Sequence, residues 1–241
     1  MSDPLLTLRG VHTHIGPYHI LQGVDLEVPR GGVTVLLGRN GAGKTTTLRT
    51  IMGLWQVREG LIQFDGAQIH QETTPVIAQR EIAFVPEDMG IFTDLTVHEN
   101  MLLAARSGVL EEERLSWIFG LFPPLKTFWH SAAGVLSGGQ KQMLAVARAI
   151  VEPRKLILID EPTKGLAPAI INAMVVALKE LKEMQTTILL VEQNFSMASA
   201  VGDTVAVMDD GRIVYKGDMC ELAADAALQE RLMGLSLEAH Q

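Results

Sequence analysis

An apolar run, Val33–Leu37, is followed by Gly38-Arg39-Asn40-Gly41-Ala42-Gly43-Lys44-Thr45 and then by a helical pattern starting at Lys44. This octet fits the Gly-x-x-x-x-Gly-Lys-Ser/Thr phosphate-loop pattern and stands in the strand-to-helix context that the pattern requires. It constrains the chain more than any other stretch, because it demands a buried strand, a tight loop and a helix in that order. The glycines let the backbone curl until its N–H groups face inward at phosphate oxygens, and the helix N-terminus adds positive partial charge. Lys44 is then placed to reach the β and γ phosphates, and Thr45 offers a hydroxyl suited to magnesium. A glycine-rich turn needed only for packing would not require Lys and then Thr after its last glycine. Gly38, Arg39, Asn40, Gly41, Ala42, Gly43, Lys44, Thr45 and Thr46 are therefore the candidate nucleotide-binding residues.

Other short apolar runs rich in Val, Ile and Leu occur at Ile82–Val85, Leu156–Ile159, Ile188–Val191 and Val205–Met208. They have the length and composition of buried strands in a largely parallel sheet. Helical patterns at Lys44–Met52, Pro168–Glu183 and Asn194–Val201 alternate with them, which indicates α/β architecture. Two regions break the alternation. Up to about Gly66, the runs Leu5–Val11, Val24–Val28 and Leu61–Phe64 suggest an antiparallel β layer. From Glu87 to Ile150 the stretches Val97–Ala105 and Glu112–Phe119 read as helices, with Phe122-Pro123-Pro124 as a breaker, so this segment is expected to be an inserted helical lobe. Near the end, Asp209-Asp210-Gly211 signals a hairpin, and Glu221–Met233 reads as helix.

Lys155-Leu156-Ile157-Leu158-Ile159-Asp160-Glu161 is an apolar strand that delivers two carboxylates at its C-terminal end, the edge where open α/β sheets bind ligands. Asp160 is placed to hold magnesium, and Glu161 to orient or deprotonate the water that attacks the γ-phosphate. Solvated strand-end acids are the bland alternative, and the phosphate loop tips the balance towards chemistry. The formal net charge of -8 disfavours non-specific attachment to nucleic acid or anionic lipid. No apolar run is long enough to span a bilayer, and Asp3 stands where a signal peptide wants a basic flank, so the expectation is a cytosolic protein that meets any membrane through another protein. Cys220, the single cysteine, reads as a lone thiol.

Leu136-Ser137-Gly138-Gly139-Gln140 precedes a helical pattern, Lys141–Ile150, and Ser137 with Gln140 has capping-box spacing. A capped helix start with two bare glycines is also an open anion site. With this run lying shortly before the acidic strand, nearly the whole chain resembles the ATP-binding cassette family. The resemblance implies one P-loop NTPase cassette over residues 1–241. Residues 1–86 and 151–218 would form the nucleotide-binding core, 87–150 a helical lobe with the signature, and 219–241 a helical tail. It implies ATP and Mg2+ as cofactors, with Thr45, Glu87 and Asp160 at the metal and Lys44, Glu161 and Gln193 in catalysis. It also implies head-to-tail docking of two cassettes, in which Ser137, Gly138, Gly139 and Gln140 serve the partner's nucleotide and Pro162–Pro168 lies at the dimer contact. The runs Val85-Pro86-Glu87, Gly165-Leu166-Ala167-Pro168 and Val191-Glu192-Gln193-Asn194 look like the branch that serves branched-chain amino acid importers.

The sequence departs from the broad family pattern at three positions. Ile15, with His14 and Tyr18 nearby, stands where many cassettes stack an aromatic on adenine; Glu87 replaces a Gln that senses magnesium; Gln193 replaces a switch His. Asp203 and Glu192 read as solvated or capping residues. The partners implied are membrane-spanning permease subunits, a second cassette and, indirectly, a periplasmic or extracellular binding protein. Nucleic acid is not expected, and the implied location is the cytoplasmic face of the inner membrane. The competing readings are a soluble cassette acting on nucleic acid or the ribosome, a small-molecule phosphotransferase, and a cassette of an importer for amides or urea.

Overall fold

The computed structural model describes residues 3–233 of the chain; the last part of the expected tail, 234–241, lies outside the described residues. The chain opens with β1 (Leu6–Ile15), β2 (Tyr18–Val28), β3 (Val33–Gly38), α1 (Lys44–Ile51), β4 (Val57–Phe64), β5 (Ala67–Gln68), α2 (Thr74–Gln79) and β6 (Ile82–Val85). Helices then follow one another: α3 (Val97–Ala104), α4 (Glu112–Leu121), α5 (Pro123–Thr127) and, after a 3-10 turn at Ala133–Val135, α6 (Gly138–Ile150). Alternation resumes with β7 (Leu156–Asp160), α7 (Pro168–Glu183), β8 (Thr187–Glu192), α8 (Phe195–Val201), β9 (Thr204–Asp209), β10 (Arg212–Asp218), α9 (Met219–Ala224) and α10 (Ala226–Met233).

Two sheets form. One has the order β2-β1-β4-β5 and is antiparallel throughout. The other has the order β10-β9-β3-β8-β7-β6 and is parallel except for the β9–β10 pair. The α/β class with a mainly parallel sheet and an N-terminal antiparallel layer is thus observed as expected. The central strands are apolar on both faces because both are covered, which is why they read as continuous runs. Side chains alternate strictly between two cores. Val35, Leu37, Ile157, Ile159, Ile188 and Leu190 enter the core shared with the helices, while Leu36, Leu158, Leu189 and Val191 enter the core shared with α1 and the antiparallel sheet.

Several boundaries differ from the sequence reading. The apolar run at Val24–Val28 is only the end of β2, which begins at Tyr18, and β1 reaches Ile15. In the extra length Leu21 still enters the core, while Tyr18 and His19 at the hairpin tip are exposed, so no continuous apolar run marks it. Pro123 ends α4 but also starts α5, since a proline at the first helical positions lacks only an N–H that has no partner there. The tail breaks into α9 and α10 at Asp225, whose carboxylate accepts from Leu228 N at 2.9 Å. The hairpin at Asp209-Asp210-Gly211 is present, and left-handed φ at both Asp210 (40°) and Gly211 (73°) suits a two-residue turn.

Gly60 lies within β4 at φ 87°, opposite the bulge in β1, where an added Cβ would sit 2.1 Å from the Gly10 carbonyl oxygen. Gly66 has a similar φ of 80° and open space around it. Gly60→Ala should therefore lose stability by about 2–4 kcal/mol and Gly66→Ala by about 1 kcal/mol, since only the first adds a backbone collision to the strain. Urea unfolding of both variants checks the ordering, and equal losses would contradict it.

Candidate active site

Parallel strands pointing the same way bring their C-terminal residues to one edge. The register aligns Leu36 of β3, Val191 of β8 and Asp160 of β7 across the sheet. Just beyond this row the strands give way to the phosphate loop after Gly38, to Glu161, and to Glu192 followed by Gln193. The loop after β6 adds Glu87. A cleft of about 300 Å³ opens there, lined by Asn40, Gly41, Gly43, Lys44, Thr45, Thr46, Glu87, Glu161, Lys164 and Ile20.

The phosphate loop takes its shape from its glycines. Gly38 leaves β3 so close to β9 that a Cβ would lie 2.3 Å from the Met208 carbonyl oxygen, and Gly43 caps α1 in the left-handed region at φ 107°. Lys44 folds back over the loop, its Nζ donating to the Gly38 carbonyl at 2.8 Å and the Arg39 carbonyl at 3.1 Å. It is 4% exposed, yet its Nζ faces the cleft and stands 3.4 Å from Glu161 Oε1.

Glu161 is the most constrained acid in the cleft. It is 8% exposed, and its backbone takes φ 45°, the left-handed region that side chains other than glycine rarely adopt. Gln193 Nε2 donates to the same Oε1 at 2.5 Å and to Asn40 Oδ1 at 2.7 Å, so one amide ties the acid to the phosphate loop. Oε2 faces the Lys164 ammonium at 3.6 Å, and Lys164 also bonds Glu87 at 2.6 Å. Held this way, Glu161 can accept a proton from a water placed against it while Gln193 and Lys44 fix its direction.

Asp160 is 1% exposed and accepts from the Thr45 hydroxyl at 3.2 Å through Oδ1. Its Oδ2 is buried with no hydrogen-bond partner. Burial is the main cause that pushes its carboxyl up to about 6; the Thr45 bond opposes this, and the nearby charges of Glu161 and Glu87 add to it. A buried carboxylate oxygen without a donor, next to a hydroxyl, fits a hard cation that takes oxygen ligands. Among the described residues no cluster of three or more His, Cys, Asp or Glu side chains could enclose a metal alone. Mg2+ is held through one or two carboxylates with waters and phosphate oxygens completing its shell, so Asp160 and Thr45 could hold it beside a nucleotide.

Some expected residues lie elsewhere. Ile15 pairs with Tyr18 at the tip of the β1–β2 hairpin and is not among the cleft-lining residues; Ile20, at a register shift in β2, is. Ser137 and Gln140 form the expected capping box, Oγ accepting from Gln140 N at 3.3 Å and Oε1 from Ser137 N at 2.9 Å. None of Ser137, Gly138, Gly139 and Gln140 lines the Lys44 cleft. Glu192 is not solvated: it is 2% exposed and accepts from the Thr163 N–H and hydroxyl, Gln193 N and Asn194 N. Burial pushes its carboxyl up against the opposing pull of those bonds. Asp203 is exposed and bonds across the fold, accepting from Val33 N of β3 at 2.9 Å and pairing with Lys182. Ile20 escaped the sequence reading, and Lys164 entered it only within the Pro162–Pro168 run, not as a cleft residue. Nothing local marks Ile20, whereas Lys164, three residues beyond the catalytic candidate Glu161, carried a positional signal.

This fold and edge define a phosphate-loop nucleotide-binding α/β protein. The family described as ABC transporter matches residues 21–164. A high-affinity branched-chain amino acid transport ATP-binding protein, BraG of Pseudomonas aeruginosa, is 35% identical over 235 residues, covering 95% of this chain and all of that protein. A probable branched-chain amino acid transport ATP-binding protein, LivF of Archaeoglobus fulgidus, is 34% identical over 95% of this chain and 99% of that one. A solved ATP-binding subunit of an ABC transporter superposes with TM-score 0.80 at 30% identity, covering 97% of this chain and 96% of that one. A nucleotide-free ATP-binding cassette from an ABC transporter also gives 0.80, at 25% identity over 97% of this chain and all of that one. The chain belongs to the ABC transporter family, whose cassettes bind and hydrolyse ATP.

A carboxyl raised from 3.8 to about 6 in the fold favours the native state below pH 4, and this advantage is lost as the pH rises through 6. Asp160→Asn should therefore stabilise the metal-free protein at pH 8 by on the order of 2–3 kcal/mol and change little near pH 4. Melting temperatures across that range check this; a gain independent of pH would refute the assignment to Asp160.

Proposed function

We propose that this chain is the ATP-hydrolysing subunit of an importer for branched-chain or related amino acids. The observation that carries the reading is the convergence on Glu161 Oε1 of Lys44 from the phosphate loop and Gln193 from the end of β8. An acid so held, facing a phosphate cradle, suits activation of water against a terminal phosphate. The names of the relatives from Pseudomonas aeruginosa and Archaeoglobus fulgidus support the amino-acid class.

In this reading Gly38, Arg39, Asn40, Gly41, Ala42, Gly43 and Thr46 shape the cradle through their backbone, and Lys44 neutralises the β and γ phosphates. Thr45, Asp160 and Glu87 would hold Mg2+, which when bound offsets charge on the phosphate oxygens. Glu161 orients the attacking water and takes its proton. Gln193, whose amide cannot change charge near neutral pH, holds Glu161 and donates a hydrogen bond to the water or γ-phosphate.

Ser137, Gly138, Gly139 and Gln140, exposed or half-buried and away from the chain's own cleft, serve the nucleotide of a second cassette. Closure of the two cassettes on ATP, and reopening after hydrolysis, drives membrane-spanning permease subunits through the helical lobe 87–150, with residues 1–86 and 151–218 as the nucleotide-binding core. A binding protein outside the membrane delivers the cargo. No helix among the described residues is long and apolar enough to cross a membrane, and attachment to the cytoplasmic face runs through the permease.

Glu161→Gln should bind ATP but its hydrolysis should slow by about 10²-fold or more, the scale of a lost general base. It should also accumulate as an ATP-dependent dimer in size-exclusion chromatography with light scattering. Wild-type turnover without a dimer would sink the reading.

Tyr18, 69% exposed and paired with Ile15 on one face of the hairpin, offers an aromatic ring beside the position where the family stacks adenine. Tyr18→Ala should weaken ATP binding by about 1–3 kcal/mol, the worth of one base–aromatic stack, and Ile15→Ala by less. Calorimetric titration of both variants decides it; equal affinities would remove the hairpin from base recognition.

A further inference from the structure

Four donors converge on the carboxylate of Glu192. Its Oε1 accepts the Thr163 N–H at 3.2 Å and the Thr163 hydroxyl at 2.6 Å, and its Oε2 accepts Gln193 N at 3.0 Å and Asn194 N at 3.2 Å. A helix cap would satisfy only groups of its own segment. Here half of the bonds cross to the segment after β7, two residues beyond Glu161. An ionised carboxylate alone among side chains offers acceptors on both of its atoms, whereas a carboxamide presents an NH₂ to one set of donors. The same junction has two further bridges: Glu161 N donates to Val191 O at 2.9 Å, and Gln193 Nε2 reaches Glu161 Oε1. A non-glycine residue in the left-handed region persists where its surroundings over-determine it, and Glu161 is flanked by these bridges.

We propose that Glu192 is a positioning residue for hydrolysis: it clamps the Glu161–Thr163 turn to the Gln193 segment, so that the Gln193 amide and the Glu161 carboxylate meet. This rests on the reading of Glu161 as the residue that activates water. Glu192 acts through Gln193, so its loss changes turnover rather than nucleotide binding, which depends on the phosphate loop.

The test compares wild type, Glu192→Gln, Thr163→Val, Gln193→Ala and the Glu192→Gln/Gln193→Ala pair, measuring kcat and KM for ATP and thermal melting. Glu192→Gln should lower kcat about tenfold, the scale of one hydrogen bond lost or turned repulsive, with KM unchanged. Thr163→Val keeps the carboxylate and every N–H bond and should lower kcat in the same direction by less. Because it is the milder change, it carries the test if Glu192→Gln does not fold. The pair should be no slower than Gln193→Ala alone. Wild-type kcat in Glu192→Gln with only a lowered melting temperature would overturn the proposal in favour of a purely structural acid. Effects that multiply in the pair would also overturn it, because Glu192 would then act independently of Gln193. Glu161→Gln is the control: if it too turns over like wild type, the reading of the whole site fails and the proposal falls with it. A slow Glu161→Gln beside a fast Glu192→Gln rejects the clamp alone.

Discussion

The ion pair between Lys44 and Glu161 spans two elements that are far apart in the chain, and both side chains are almost wholly withdrawn from water. Desolvating two charges costs several kcal/mol, and their mutual attraction offsets this only when other polar groups complete their shells. Two loop carbonyls do so for Lys44, and the Gln193 amide with the Lys164 ammonium does so for Glu161. The arrangement leaves a cation and an acid facing the same small cleft. A hydrophobic pair of similar volume would be easier to bury there. On the proposed reading the charges meet something else, a nucleotide phosphate and its attacking water, and that use would account for the cost.

Everything around that pair serves to keep it in place. The parallel order β3-β8-β7 sets the loop, Gln193 and Glu161 at one edge, and the register fixes them to within a residue. Two hydrophobic cores, one on each face, make the sheet rigid. A slip of one residue in β7 would exchange Ile159 and Leu158 between the cores and withdraw the acids from the edge, so the packing that stabilises the sheet also positions the chemistry. The helices α3 to α6 share the core on one face. The signature turn at the start of α6 is thereby tied to the same body, although it lies outside the Lys44 cleft.

Much of this was legible in the sequence. The phosphate loop and the acidic strand end are short, and each is dictated by local chemistry: bare backbone for anions, apolar residues for a strand buried on both faces. The capping box at Ser137 and the Asp210-Gly211 turn are local in the same sense, and both are present. Boundaries drawn from apolar runs failed where a strand continued past its core, as β2 does at Tyr18, and where a proline both stopped and started a helix.

What the sequence determined by itself was therefore the class of fold, the cradle and the identity of the acids, because these depend on neighbours within a few residues. Only the tertiary structure decided that Gln193 holds Glu161 and Asn40 together, that Ile20 rather than Ile15 lines the cleft, that Lys164 bridges Glu87 and Glu161, and that Glu192 is a buried clamp. Each of these joins residues from separate strand ends. Whether an acid at a strand end meets water or four hydrogen-bond donors is set by which strands lie beside it, and that ordering is a property of the folded sheet.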